Sequence, residues 1–165
     1  MESVKKFGSR QFLGVREKLS NGKFGHYQWK TYKEIHEEVE AFRRGLHKLV
    51  DVKTQECVGF YSANRIEWKL AEYTCMLSNL CIVSLYDTLA PGAAQFIIKH
   101  AELRIIFASG AVWNKLCQAI KSLDPKECAI KYVILFDHVE NADAAKSLPF
   151  QILYFDEVLK LVKKK

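Results

Sequence analysis

The chain has 165 residues, of which 49% are hydrophobic and 27% are charged, and its formal net charge is +6. These proportions are those of an ordinary globular domain, and they exclude a disordered or collagen-like chain. The longest stretch without a charged residue, 73–86, is shorter than the roughly 20 residues that a membrane-spanning helix needs. The first ten residues lack the apolar segment of a secretory signal peptide.

Two strand-like runs near the start of the chain are separated by a turn sequence. The runs "QFLGVREKL" and "HYQWKTY" flank "SNGKFG". Asn21-Gly22 in this turn is a pair that accepts the positive φ values of a tight hairpin turn. The segment 1–30 is therefore predicted to be a hairpin region.

The most periodic segment of the sequence follows the hairpin. Its apolar residues recur at spacings of three and four, which places them on one helix face: Tyr32, Ile35, Val39, Phe42, Leu46 and Leu49. Thr31 and Glu34 have the spacing of a capping box, so a long amphipathic helix is predicted over 31–50. Glu40 and Arg44 are expected to form an exposed ion pair one turn apart.

Strand-like and helix-like segments alternate over 56–165. Strands are predicted at 57–61, 81–86, 103–109, 130–136 and 150–155, and helices at about 65–77, 91–101, 112–123 and after 155. The strands are apolar at nearly every position, which is typical of a parallel sheet covered on both faces. The predicted fold is α/β: an open, mainly parallel, doubly wound sheet with helices on both faces, preceded by the hairpin and the long helix.

The loops beyond the carboxyl ends of the strands are where an open α/β sheet binds ligands. Tyr86-Asp87-Thr88 ends the second strand of this sheet and stands just before Pro91-Gly92. Two interpretations remain open: the side chains accept hydrogen bonds from loop amides, or the carboxylate and hydroxyl face a ligand. Tyr86, Asp87 and Thr88 are therefore candidates for a substrate cleft.

Known catalytic and cofactor motifs are not found in the sequence. No loop carries the glycine-rich patterns that bind dinucleotides or nucleoside triphosphates. The helical segment "HEEVE" at 36–40 resembles a zinc-protease helix, but Glu40 stands where the second histidine ligand would be required. The residues themselves thus predict no catalytic, cofactor-binding or metal-binding site.

The five cysteines are odd in number, form no C-x-x-C pair, and stand mostly in apolar runs. They are interpreted as reduced, buried thiols of an intracellular protein. The positive charge is partly clustered in a C-terminal group of lysines, namely Lys160, Lys163, Lys164 and Lys165. No basic stripe with spaced aromatic residues occurs, so a nucleic-acid partner is not predicted.

Several phrases in this order resemble one family. They are Trp29-x-Thr31-Tyr32, Asn64-x-x-Glu67-Trp68, Leu85-Tyr86-Asp87-Thr88-Leu89 and Phe96-Ile97-Ile98-x-His100-Ala101-Glu102. Together they resemble the N-terminal part of the eukaryotic, plant-type long-chain acyl-CoA synthetases, which belong to the AMP-forming, adenylate-making superfamily. Ala90 departs from the pattern, since plant-type members usually have glycine there.

The resemblance implies a parent enzyme that uses ATP and Mg²⁺ to turn a fatty acid into an acyl-adenylate, from which coenzyme A displaces AMP. The family's phosphate-binding signature, Y-T-S-G-T-[ST]-G-x-P-K-G, has no counterpart in this sequence. We therefore expect residues 1–165 to be a single N-terminal subdomain, a fragment that is inactive alone and whose partner is the rest of the parent enzyme. The implied location is intracellular, in the cytosol or peripheral on the endoplasmic reticulum or peroxisomal membrane.

Two alternatives stay open. In the first, the chain is a stand-alone, non-catalytic binding or regulatory module that holds a partner or a fatty acyl chain. In the second, the C-terminal lysines make a peripheral contact with anionic lipid, at about 1 kcal/mol per lysine near the surface.

Overall fold

The computed structural model describes residues 2–86, 88, 90, 92–140 and 148–163 of the chain. The first part consists of α1 (Glu2–Phe7), β1 (Gln11–Lys18), β2 (Phe24–Thr31) and α2 (Tyr32–Leu49). The second part alternates β3 (Cys57–Tyr61), α3 (Ile66–Leu77), β4 (Cys81–Leu85), α4 (Ala93–His100), β5 (Ile105–Ala108), α5 (Trp113–Lys121), β6 (Tyr132–Leu135), β7 (Gln151–Tyr154) and α6 (Phe155–Lys163). A single 3₁₀ turn, Gly110–Val112, leads into α5.

The predicted hairpin is present, because β1 and β2 pair antiparallel as a separate two-stranded sheet. The expectation for its turn is only half right: Gly22 has a φ of 78°, whereas Asn21 is not among the described residues with positive φ. The side chain of Asn21 instead accepts a hydrogen bond from the Lys23 N–H at 3.0 Å. The loop is longer than a two-residue turn, so only one residue needs the left-handed conformation.

The long helix begins as its sequence predicts. Thr31 Oγ1 accepts a hydrogen bond from the Glu34 N–H, and the Glu34 carboxylate accepts one from the Thr31 N–H at 2.7 Å, which completes the capping box. The hydrogen bonds that the Thr31 N–H and the Thr31 hydroxyl donate to the Glu34 carboxylate lower the pKa of Glu34. The expected Glu40–Arg44 ion pair is wrong: Glu40 pairs with Arg43 at 2.9 Å, and Arg44 Nε donates to the Glu40 backbone carbonyl. Both i+3 and i+4 neighbours are within reach on a helix surface, so the spacing did not decide the partner.

The five-stranded sheet is entirely parallel, in the order β4-β3-β5-β6-β7. One core packs α2, α3 and α6 against one face of this sheet, and the other packs α4 and α5 against the opposite face. The predicted open, doubly wound sheet with helices on both faces is therefore confirmed. Phe42 of α2 lies at the centre of the first core, stacked on Phe155 with ring centroids 4.1 Å apart. Helices α2 and α6 approach so closely that a Cβ on Gly45 would clash with the Val158 carbonyl oxygen.

Several strands are shorter than their apolar runs predict. Leu103, Ile130 and Phe136 are buried, yet each lies just outside a strand. Apolar side chains enter the core from the connecting segments as well, so an apolar run overstates the length of a strand. The predicted helix start at Pro91 lies outside the described residues. None of the helices in the described part of the chain combines the length and apolarity that a membrane crossing requires.

Candidate functional site at the carboxyl edge of the sheet

The strand order reverses between β3 and β5. From β3 the chain passes to β4 on one side, and it then returns to β5 on the other. Such a switch point opens a crevice beyond the carboxyl ends of the strands, where ligands bind in open α/β sheets. The loops at this edge are 62–65 after β3, 109–110 after β5 and 136–138 after β6.

A hydrogen-bonded cluster of Arg65, Glu67, Gly110 and Asp137, which we call the crest cluster, joins these loops. Arg65 Nη1 donates to Asp137 Oδ2 at 2.7 Å, and Arg65 Nε donates to Glu67 Oε2 at 2.6 Å. The Gly110 N–H donates to the same Asp137 oxygen at 2.8 Å. One carboxylate oxygen thus connects the ends of three strands across the switch point.

The Arg65 guanidinium is stabilised in its charged form. Partial burial acts to lower its pKa, but the hydrogen bonds that Arg65 donates to the Glu67 and Asp137 carboxylates, together with their negative charge, outweigh burial and raise the pKa of Arg65. The guanidinium carbon also lies 5.5 Å from the centroid of the Phe136 ring, within cation–π range. The Arg65 and Asp137 side chains are 29% and 39% exposed, so water screens the attraction between their charges. The pair therefore contributes more to the placement of the loops than to the stability of the fold.

A cleft of about 480 Å³ lies beside the crest cluster, between the loop after β3, the start of α3 and the end of β4. Phe60 and Trp68 form an apolar edge-to-face pair in it, with ring centroids 5.1 Å apart. Hydroxyl and amide groups complete the lining, supplied by Ser62, Asn64, Ser84 and Tyr86. An apolar wall with a few polar groups is the usual lining of a small-molecule site.

The structure brings one of the three predicted cleft residues to this site. Tyr86 lines the cleft and is 66% exposed. Thr88 is exposed and lies in a turn, outside the lining of the cleft. Asp87 lies outside the described residues. Their predicted role in substrate binding stays a prediction.

A second polar group lies at the β6–β7 end of the same edge. His138 Nε2 lies 2.9 Å from Asp156 Oδ1, and Lys160 Nζ donates to Asp156 Oδ2 at 2.6 Å. The hydrogen bond from Lys160, followed by that from His138, lowers the pKa of Asp156. Lys160 is therefore paired within α6, while Lys164 and Lys165 lie outside the described residues.

The crest cluster does not fit a magnesium-bound nucleotide. Its carboxylates already accept hydrogen bonds from Arg65, and the Gly110 N–H that could bind a phosphate is donated to Asp137. Among the residues that the structure describes, no group of three or more His, Cys, Asp or Glu side chains could hold a metal ion. We therefore assign no step involving ATP or Mg²⁺ to these residues.

The sequence pattern alone singles out no residue of the crest cluster as a site residue. Asp137 follows an apolar run, and that position marks its loop as one to inspect. Arg65 is predicted only as the start of a helix, because nothing in the sequence links it to a carboxylate 72 positions away. No single-sequence signal could have identified this pair.

Comparisons with known proteins match the fold and nearly the whole chain. Residues 2–153 match the model of the family described as AMP-binding enzyme. The chain is 37% identical to long chain acyl-CoA synthetase 5 of Arabidopsis thaliana over 96% of its own length. It is 32% identical to fatty acyl-CoA synthetase B of Dictyostelium discoideum over 97% of its length.

Solved structures show the same fold at low sequence identity. The adenylation and carrier didomain of a carboxylic acid reductase from Segniliparus rugosus, in complex with AMP, gives a TM-score of 0.78 at 16% identity; the match covers 98% of this chain and 25% of that one. A long-chain-fatty-acid-CoA ligase from Archaeoglobus fulgidus gives 0.72 at 14% identity, with 96% and 28% covered.

The chain spans 23% of the length of both curated relatives named above. The match nevertheless covers the hairpin and extends through the parallel sheet into β7. The chain therefore belongs to the AMP-binding enzyme family.

Proposed function

We propose that residues 1–165 form the N-terminal subdomain of a long-chain fatty acid–CoA ligase, with a hairpin region at 1–30, a helix at 31–50 and an alternating β/α part at 56–165. The observation that carries the proposal is the match of almost the entire chain to relatives named long-chain acyl-CoA synthetases. In this role the chain supplies scaffold and part of a binding wall, and the chemistry depends on other polypeptide.

The cleft beside the crest cluster is the part of the chain that we assign to substrate. Its apolar pair, Phe60 and Trp68, suits contact with an apolar group, and its hydroxyl and amide groups suit a polar end. Tyr86, Asp87 and Thr88 are proposed as its rim in the parent enzyme. The Arg65–Asp137 pair is proposed to position the loop after β3 that carries Ser62 and Asn64.

ATP, Mg²⁺ and coenzyme A are proposed to bind elsewhere in the parent enzyme. Adenylate formation builds charge on phosphate groups, and catalysis of such a step relies on donors and cations placed at that charge. The crest cluster uses its cation and its backbone donor internally. The chain alone is therefore expected to form no acyl-CoA.

The experiment compares the isolated chain with a chimaera. In the chimaera, this chain replaces the aligned segment of the Arabidopsis relative to which it is 37% identical. We expect acyl-CoA formation from fatty acid, ATP and coenzyme A by the chimaera, and none by the isolated chain. Activity of the isolated chain contradicts the assignment of the chemistry, and a folded but inactive chimaera contradicts the subdomain assignment.

A second candidate function is a non-catalytic module that holds a fatty acyl chain or a partner. It is favoured by an apolar groove of about 450 Å³ between α1, α2 and α3. Met76, which lines this groove, is 59% exposed. Fatty-acid binding by the isolated chain, together with an inactive chimaera, would select this module over the subdomain. A peripheral membrane contact through the C-terminal lysines likewise remains a proposal.

A further inference from the structure

Two cysteines face each other at the amino edge of the sheet. Cys57 begins β3 and Cys81 begins β4, and the two are direct partners in the parallel register of these strands. Neighbouring strands lie about 4.8 Å apart. That spacing falls within the Cα separation of about 4.4–6.8 Å that disulfides span.

Both thiols leave the sheet on the same side. Side chains alternate along a strand, so Cys57 shares a face with Tyr61, and Cys81 shares a face with Val83 and Leu85. These neighbours belong to the core that packs against α4 and α5. Cys81 is exposed on the edge strand, and Cys57 is partly exposed beside it, so the interpretation of the cysteines as buried thiols is wrong for this pair.

Backbone contacts just outside the strands hold this register. The Cys81 N–H donates to the Glu56 carbonyl at 2.9 Å, and the Gln55 N–H donates to the Asn79 carbonyl at 2.7 Å. The two strand starts are thus tied together immediately before the cysteine pair. Thiols brought together in this way have a high effective concentration for each other.

The remaining cysteines differ from this pair. Burial raises the pKa of the Cys75 thiol to about 12 and also raises the pKa of the Cys117 thiol, so both buried thiols ionise less readily than an ordinary thiol. Cys128 is partly exposed, but it lies in the loop before β6 and has no cysteine opposite it in the described ladders. It provides a single accessible thiol for comparison.

We propose that Cys57 and Cys81 form a cross-strand dithiol site that low-molecular-weight disulfides, such as oxidised glutathione, convert to an intramolecular disulfide. The Cys81 thiolate attacks glutathione disulfide, which forms a mixed disulfide and releases one glutathione thiolate. The Cys57 thiolate then attacks the Cys81 sulfur and releases the second glutathione. Two cysteines are oxidised, one glutathione disulfide is reduced to two glutathiones, and the two thiol protons go to the leaving thiolates or solvent.

The test uses the full chain carrying Cys128→Ser, so that Cys57 and Cys81 are the accessible thiols. After exposure of the folded protein to oxidised glutathione, we expect intact mass spectrometry to show the loss of two hydrogen atoms and no retained glutathione. Peptide mapping is expected to place the new bond between Cys57 and Cys81. Adding Cys57→Ser or Cys81→Ser should instead leave a stable glutathione adduct on the remaining cysteine.

A second probe examines the same site without oxidation. Phenylarsine oxide joins two thiols through one arsenic and releases one water. We expect one tightly held arsenic per chain, and at least a tenfold loss of affinity in either single serine variant. Stable glutathione on both cysteines, a disulfide that involves Cys75 or Cys117, or arsenic binding unaffected by the serine variants would each overturn the proposal. Circular dichroism of the serine variants checks that they are folded.

Discussion

The two edges of the parallel sheet each hold an arginine that ties strands together, but in different surroundings. At the amino edge, Arg104 Nη1 donates to Glu56 at 2.6 Å, and the two side chains are only 15% and 8% exposed. At the carboxyl edge, Arg65 and Asp137 are 29% and 39% exposed. Both are ion pairs between an arginine and a carboxylate, and they differ in burial. Burial therefore decides whether such a pair mainly stabilises the fold or mainly positions loops.

Desolvation explains the difference. A buried ion pair stabilises a protein little more than apolar packing would. Removing one partner is nevertheless strongly destabilising, because the other charge stays buried without a counter-charge. Among the residues that the structure describes, Arg104 has few other partners: its buried Nε has no hydrogen-bond partner, and its Nη2 lies 3.3 Å from the Asp51 carbonyl and 4.0 Å from the Asp51 carboxylate. At the carboxyl edge, water can reach both Arg65 and Asp137.

The largest expected effect is at the amino edge. Glu56→Gln removes the charge that neutralises Arg104, and we expect the free energy of unfolding to fall by about 3–5 kcal/mol. Denaturant titration measures this change. The control is Asp51→Asn, whose side chain is 78% exposed and which should cost less than about 0.5 kcal/mol. Equal losses of unfolding free energy for Glu56→Gln and Asp51→Asn would contradict the claim that burial makes the Arg104–Glu56 pair important for stability.

The next prediction concerns the crest. Arg65→Ala should lower the free energy of unfolding by no more than about 1 kcal/mol, because the pair is partly solvated. In the active chimaera the same change should lower kcat/KM by about tenfold or more, because the loop after β3 loses its link to Asp137. Arg65→Lys keeps the charge but not the two-pronged geometry, so an intermediate loss is expected. A large loss of stability with unchanged kcat/KM would contradict the claim that the Arg65–Asp137 pair positions the loop after β3 and contributes little to stability.

The weakest change is expected at the β6–β7 end of the carboxyl edge. The folded-state pKa of Asp156 lies below its ordinary value. The stability that this carboxylate contributes is therefore present above its unfolded pKa and is lost as pH falls through the lower, folded pKa. We expect the difference in unfolding free energy between the wild type and Asp156→Asn to be small at neutral pH and to vanish in strong acid. The hydrogen bond from Lys160 is the largest cause of the lowered Asp156 pKa, so Lys160→Met should reduce this pH dependence more than His138→Gln does.

Local patterns predicted the elements that depend on neighbours in sequence. The capping box at Thr31 and the apolar stripe of α2 set the start and the buried face of that helix. The apolar runs located all five strands of the parallel sheet, and the turn sequence located the hairpin. Each of these signals comes from residues a few positions apart, where backbone sterics and side-chain periodicity act directly.

Features that depend on distant contacts were not predictable. Helix α1, Glu2–Phe7, buries no residue and carries too few apolar positions to show a period. The pairing of Arg65 with Asp137 and of Cys57 with Cys81 depends on strand order and register, which one sequence does not reveal. The cleft was predicted only to the extent that strand ends were located: Tyr86 was identified, while Phe60, Ser62, Asn64 and Trp68 were not named as cleft residues.

The most direct test of the central claim is fatty-acid-dependent exchange of pyrophosphate into ATP, which reports formation of the acyl-adenylate alone. For the purified 165-residue chain we expect no exchange above a protein-free control, and we expect measurable exchange once the chain is joined to the remainder of the Arabidopsis relative. Exchange by the isolated chain at a rate comparable with the chimaera's would contradict the claim that the adenylating groups lie outside these residues.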